Sequence, residues 1–299
     1  MRKHTAFTML ELIFVIIIMG IIGKFGVAFL ASAYKSFIFS QVNNTLQSRS
    51  ETAVETIGAR LQYRIKDSVI ARTSKTAAPV AIANATGSNY KVLEWVGIAQ
   101  ESRRGVSSGA TPYLPDWSGI IDLDAGNKNL LVSPQTNTAN IDTMISDLNN
   151  TDTTINDAAI YFIGANTNVQ SGYGWNGALT NQQGAMHPIQ SVAGQNNAFK
   201  SSIGGVDFSG IDIYEYYLLA WTAYAIVYES GTNSKGVLRL YYDYQPWNGE
   251  KMTDGKNSIL MENVSSFQFM SIGSIMKIQV CTKSDLVEEY SLCKEKTIF

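Results

Sequence analysis

The residues equipped for nucleophilic, acid–base or soft-metal chemistry are few. Two Cys (Cys281, Cys293) and two His (His4, His187) are the whole supply in 299 residues. A zinc site built from Cys and His would need all four to converge. There is no Cys-x-x-Cys, and neither His is close to a Cys in sequence. A Ser or Cys nucleophile needs a base within hydrogen-bond reach, and His187 stands alone in a Gly- and Gln-rich stretch that reads as a loop. No H-E-x-x-H pair is present. Asp122, Asp124 and Asn127 outline a calcium loop but lack its closing bidentate Glu and its ligand spacing, so they read as a solvated turn. Tyr214, Tyr216, Tyr217, Trp221, Tyr224 and Tyr228 could form a binding surface. Alternate residues packing into a sheet core is the stronger reading of that run. The chain is therefore read as having no catalytic residues, no metal site and no cofactor.

Glu11 is the one ionisable residue whose position demands an account. Arg2 and Lys3 open the chain, and residues 12–23 then hold no charge; after Lys24, residues 25–33 are apolar or small again. Counted over residues 7–33 this run is 27 residues, about 40 Å as a helix at roughly 1.5 Å per residue. That exceeds the bilayer core of roughly 30 Å. Lys24 can snorkel toward the headgroups, and the leading positive charges put the N-terminus in the cytoplasm. Glu11, near the start of this run, costs a few kcal/mol at membrane depth, so it needs a partner, a function or a place at the interface.

The segment Lys3-His4-Thr5-Ala6-Phe7-Thr8-Met9-Leu10-Glu11-Leu12 and the apolar run behind it resemble the processing and methylation signature of type IV prepilins and type II secretion pseudopilins. The resemblance covers about 10% of the chain. It implies a leader of residues 1–6, cleavage between Ala6 and Phe7 by a prepilin peptidase, and N-methylation of Phe7. Ala6 replaces the Gly usual at the end of the leader and keeps it small. Glu11 becomes the fifth residue of the mature chain. It could then pair with the amine of a neighbouring subunit, an interaction that matters for register more than for raw stability. The implied partners are other pilin or pseudopilin subunits, the peptidase and the inner membrane. The implied location is a bacterial inner membrane with the head in the periplasm, or an extracellular pilus. Two rival targeting readings stand beside this one. Ala31-Ser32-Ala33 has the form of a signal peptidase site, although its apolar region would be unusually long and would contain Glu11 and Lys24. A plain single-pass anchor carrying an extracytoplasmic binding or adhesion domain is the other.

These elements need a scaffold. Apolar or small residues recur at Ile38, Val42, Leu46, Ala53, Ile57, Leu61, Ile65 and Val69, one face of a helix, with charged and amide residues opposite. The spacing predicts one helix from the membrane segment to about Ile70, amphipathic over residues 34–72; a break near Gly26 or Asn43-Asn44 is the alternative. Residues 73–299 then read as a β-rich head. Strands are expected at 92–98, 120–123, 158–163, 221–228, 237–244, 258–264, 265–270 and 275–281, the last several as an antiparallel meander. Residues 126–210, dense in Asn, Thr, Gly, Ser and Gln, read as a loop-rich insertion. The element order of the C-terminal part is similar to that of larger minor pilins and pseudopilins of the PilW or GspJ type. The fold class is α+β, a long N-terminal membrane-spanning helix packed on an antiparallel sheet, type IV pilin-like. In an oxidising periplasm Cys281 and Cys293 can form a disulfide that pins the tail, similar in kind to the C-terminal bridge of many type IV pilins.

Composition narrows the classes further. Net charge is −2 and the pI about 5.8, which excludes the basic surface of a general nucleic-acid binder. Hydrophobic residues are 45% of the chain, enough to build a packed core. The function expected is structural: a minor pilin or pseudopilin serving a type IV pilus, type II secretion or DNA-uptake filament.

Overall fold

The computed structural model describes residues 8–104, 114–149, 153–165, 168–231, 235–284 and 290–299. One helix, α1 (Met9–Gln62), runs unbroken for 54 residues, about 80 Å. It changes character at Val42. Before it, every large apolar side chain from Met9 to Leu30 is exposed; from it, Val42, Leu46, Ala53, Val54, Ile57 and Leu61 are buried on one face.

The expected continuation to Ile70 is corrected. The helix stops at Gln62, a 3-10 turn covers Lys66–Ser68, and Ile70–Arg72 is already a strand. Tertiary hydrogen bonds decide this. Ile65 N donates to Val96 O at 2.9 Å and Ile98 N donates to Tyr63 O at 2.8 Å, so the neighbouring strand takes the backbone groups that another helical turn would use. Ile65 and Val69 stay buried, which is why their spacing imitates a helix. Arg64 seals the end by donating to the Leu61 carbonyl at 2.6 Å, a cation at the negative end of the helix.

Among the described residues the head is built from two sheets. Strands β1 (Ile70–Arg72), β2 (Val80–Ala81) and β3 (Val92–Gly97) precede the short helix α2 (Gln100–Arg104). Then come β4 (Asp122–Asn127), β5 (Leu130–Val132), helix α3 (Thr138–Asn149), β6 (Ala159–Phe162), β7 (Met186–Val192), β8 (Gln195–Ser201) and β9 (Tyr217–Ala220). The C-terminal part is β10 (Thr222–Glu229), β11 (Gly236–Tyr242), β12 (Lys256–Ile272), β13 (Ile275–Lys283) and β14 (Ser291–Ile298). The larger sheet has eight strands in the order β14-β13-β12-β11-β10-β3-β1-β2, and the second has six in the order β4-β5-β8-β7-β6-β9. All pairings are antiparallel.

Strand alternation sorts side chains into layers. On β3, Leu93 and Trp95 face α1 together with Ile57, Leu61 and Ile278. Val92 and Val96 face the second sheet together with Ala159, Tyr161 and Met186. On β6 the other parity, Ile160 and Phe162, packs with Phe199, Leu219 and the α3 residues Ile141 and Ile145. The order through the head is α1, large sheet, second sheet, α3. Gly174 marks how closely the layers approach. Its φ is +84°, and a Cβ there would lie 2.2 Å from the Pro246 carbonyl oxygen.

Several sequence expectations change here. Residues 126–210 are not a loop-rich insertion, because they supply most of the second sheet and all of α3. Their few apolar residues, among them Leu131, Ile141, Ile145, Ile160, Phe162, Ile189 and Phe199, are buried together, while the abundant Asn, Ser and Thr satisfy turns and edges. His187 therefore lies on β7, buried at 3% exposure, not in a loop. The stretches 258–264 and 265–270 form the single strand β12. Asp122–Asn127 is an exposed edge strand, and Asp122 Oδ1 accepts from the backbone N–H groups of Asp124 and Ala125, each at 3.0 Å.

The C-terminal strand β14 ties the sheet to the helix. Lys294 lies 3.8 Å from Glu51, Lys296 pairs with Glu55, and the Tyr290 hydroxyl donates to Asn43 Oδ1 at 2.6 Å. Cys281 and Cys293 are directly opposed on β13 and β14 and joined as a disulfide. For a loop this short, cross-linking contributes slightly under about 3 kcal/mol in the chain-entropy description. Cys293→Ser is expected to lower unfolding stability by that amount under oxidising conditions. It should also speed amide exchange over Ser291–Ile298, the strand released from the helix. Unchanged exchange there would remove the disulfide from the docking of β14.

Candidate assembly surface

The exposed half of α1 is the most unusual surface of the molecule. It begins with a capping box. Thr8 is the N-cap, and its Oγ1 accepts from Glu11 N at 3.4 Å. Glu11 Oε2 accepts from Thr8 N at 3.0 Å and from Thr8 Oγ1 at 2.9 Å. Each side chain satisfies a donor that the helix start leaves open, and the Glu11 charge lies at the positive end of the helix dipole. Glu11 thus has a local role that the sequence reading did not assign to it. Ala6 and Phe7, the expected cleavage and methylation positions, lie outside the described residues.

Beyond the cap, exposure is not confined to one stripe. Leu12, Ile13, Phe14, Val15, Ile16, Ile17 and Ile18 are consecutive, so they point all round the axis, and all are exposed. A helix apolar all round does not suit water, and it buries itself in lipid or in other helices. By length and composition α1 can cross a membrane: its most apolar window has a mean hydropathy of 2.6 and none of it is buried. The polar face begins where docking begins, at Val42 and Asn43. One continuous helix therefore carries two environments without a break near Gly26 or Asn43.

The remaining candidates sort as follows. His187 packs against the Phe162 ring at 4.9 Å, with a ring N–H toward the Gln182 carbonyl and Nδ1 without a hydrogen-bond partner. Burial pushes its imidazole down to about 4, so it is neutral at pH 7. The hydroxyls of Ser133, Thr136 and Tyr217 converge within 2.7–3.4 Å but bond to one another. Of the tyrosine-rich run, Tyr217 and Trp221 are buried, Tyr224 and Tyr228 half-buried, and Tyr214 and Tyr216 exposed. Among the described residues no group of three or more His, Cys, Asp or Glu is placed to hold a metal ion.

Sequence reasoning missed one buried constellation. Arg72 Nε donates to Glu94 Oε2 at 2.8 Å, and its terminal nitrogens donate to the carbonyls of Ala77 at 2.7 Å and Trp175 at 3.1 Å. Tyr244 donates to Glu94 Oε1 at 2.9 Å. The only advance signal was a Glu amid the apolar residues of the strand expected at 92–98. Both Glu94 carboxylate oxygens are taken by side chains of the chain itself, one by Arg72 and one by Tyr244, as in a structural network. Comparison with protein-family models, with curated proteins and with solved structures finds no match for this chain.

Proposed function

We propose that this chain is a structural subunit of a membrane-anchored filament, a minor pilin or pseudopilin, and not an enzyme. One observation carries the reading: a single unbroken helix whose first half is apolar and bare all round, and whose second half docks on an antiparallel sheet. A filament core of packed helices, continuous with the membrane, is an environment that would cover such a half. The prepilin-like residues Ala6, Phe7 and Glu11 support it from the sequence side. In this reading the head stands on the far side of the membrane from the N-terminus, residues 1–6 are removed, and Phe7 is methylated. The mature amine of one subunit then meets the Glu11 carboxylate of the next. The Cys281–Cys293 bridge is consistent with an oxidising compartment.

Mass spectrometry of the mature chain is the direct test. A methylated Phe7 at the N-terminus is the expected result; Tyr34 at the N-terminus or an intact Met1 overturns the proposal.

The capping box favours one second reading, a tethered binding or adhesion domain in which Glu11 merely starts the helix. Substitution separates the two, because Gln serves in a capping box as Glu does. Glu11→Gln keeps the cap and removes the charge. For a filament subunit it is expected to insert normally and to lower incorporation by at least about tenfold, the scale of one lost charged hydrogen bond. Incorporation equal to wild type, measured by cross-linking to neighbouring subunits, would favour the tether.

A further inference from the structure

We propose that Lys24 receives the Glu11 carboxylate of a second copy of this chain, which sets neighbouring helices parallel with an offset of thirteen residues. The proposal rests on the filament reading and adds to it a second assembly residue and a register.

Lys24 is the only charged residue between Glu11 and Lys35. It is exposed, and among the described residues it makes no hydrogen bond or ion pair. In a bilayer its ammonium can snorkel to the headgroups. In a core of packed helices no headgroup is within reach, so the ammonium needs an acidic partner. Glu11 has capacity for it. Among the described residues, the hydrogen bonds that its side chain accepts all fall on Oε2, from Thr8. Oε1 keeps its lone pairs, enough for an ammonium beside the mature amine.

The two charges cannot meet within one helix. The unbroken helix separates them by about 20 Å along its axis and by about 140° around it, at roughly 3.6 residues per turn. Glu11 and Lys24 therefore lie on nearly opposite sides of α1. A contact between them joins one side of a copy to the other side of the next. Such a contact is heterologous. Its axial offset keeps it from closing into a ring, so it repeats as an open helical array.

The residues around each charge differ in size, and in the matching sense. Over residues 20–31, the only others within about 40° of Lys24 are Gly20, Ala28 and Ala31. A Cβ on Gly20 would meet nothing within 4 Å. Over residues 12–25, the same sector about Glu11 holds Val15, Ile18, Ile22 and Phe25, all exposed. Small residues let a second backbone approach closely, and large ones fill the hollow that they leave. The offset that pairs the charges also sets Val15 level with Ala28 of the neighbour, and Ile18 level with its Ala31. One register thus satisfies charge and packing together.

The test is oxidative cross-linking of the full chain in membranes of cells that assemble it, with one cysteine placed on each side of α1. Cys281 and Cys293 are already joined and do not compete. Ile18→Cys combined with Ala31→Cys should give a ladder of dimers, trimers and higher species. Ile18→Cys combined with Ala33→Cys should give none, because Ala33 lies on the Glu11 side. Adding Lys24→Leu to the first pair should lower the ladder about tenfold and leave insertion unchanged, while Lys24→Arg should keep it. Dimers alone, an equal ladder from the Ala33 pair, or a ladder indifferent to Lys24→Leu overturns the proposal. No ladder beside a methylated Phe7 overturns the proposal and leaves the filament reading standing. No ladder beside an intact Met1 overturns both.

Discussion

Arg72→Met is expected to cost about 3–5 kcal/mol of unfolding stability at pH 7, the usual penalty for stranding one member of a buried ion pair. Glu94 is 2% exposed and Arg72 9%, so neither can turn to water when the other is lost. The pair sits where three parts of the molecule meet: β1 gives Arg72, β3 gives Glu94, and the loop carrying Trp175 reaches in from the second sheet. Burial raises the Glu94 carboxyl above its ordinary value, and Arg72 and the Tyr244 hydroxyl oppose that rise. Without Arg72 the carboxyl rises further and is protonated more easily. The penalty should therefore be smaller at pH 5 than at pH 7. Arg72→Met combined with Glu94→Gln should recover much of the loss, because an apolar and a neutral partner leave no buried charge. Denaturant unfolding of the three proteins at both pH values is the measurement. A double variant as unstable as the single one would mean that the carbonyl contacts of Arg72, and not its charge, hold the junction.

Acid should destabilise the head through His187 by about 3–4 kcal/mol between pH 6.5 and pH 4, at 1.36 kcal/mol per unit of displacement. The unfolded imidazole titrates near 6.5 and the folded one near 4, so between these values the unfolded chain binds the extra proton. The contribution is thus fully present above pH 6.5. It is lost as pH falls through that window, and little more is lost below it. The physical cause is burial: a proton on Nδ1 would meet no acceptor, since that nitrogen has no partner. His187→Gln is expected to flatten the slope of stability against pH in this window, whatever it does to stability at pH 7. A slope unchanged by the substitution would place the acid sensitivity elsewhere.

The membrane-length helix and its amphipathic second half were legible because a single repeating contact decides each. An apolar run needs only length to cross a bilayer, and Ala53, Ile57 and Leu61 recur at helical spacing because they meet one surface. Most strands of the meander were legible for the same reason, since β-branched and aromatic residues alternate within them. The pairing of Cys281 with Cys293 was open to sequence reasoning through simple scarcity.

What the tertiary structure decided depends on partners far away along the chain. The helix ends at Gln62 because β3, about thirty residues on, takes its next backbone groups; the local pattern through Ile65 and Val69 carries no trace of that. Apart from the strand expected at 158–163, the second sheet was hidden because its strands are only three to seven residues long and lie among polar turns, which composition averages into a loop. They become a core only when β6, β7, β8 and α3 close on each other. Composition, periodicity and spacing are sums over neighbours in the chain, so they settle the elements that neighbours can stabilise. The Arg72–Glu94 junction and the burial of His187 come from long-range packing, which no local sum contains.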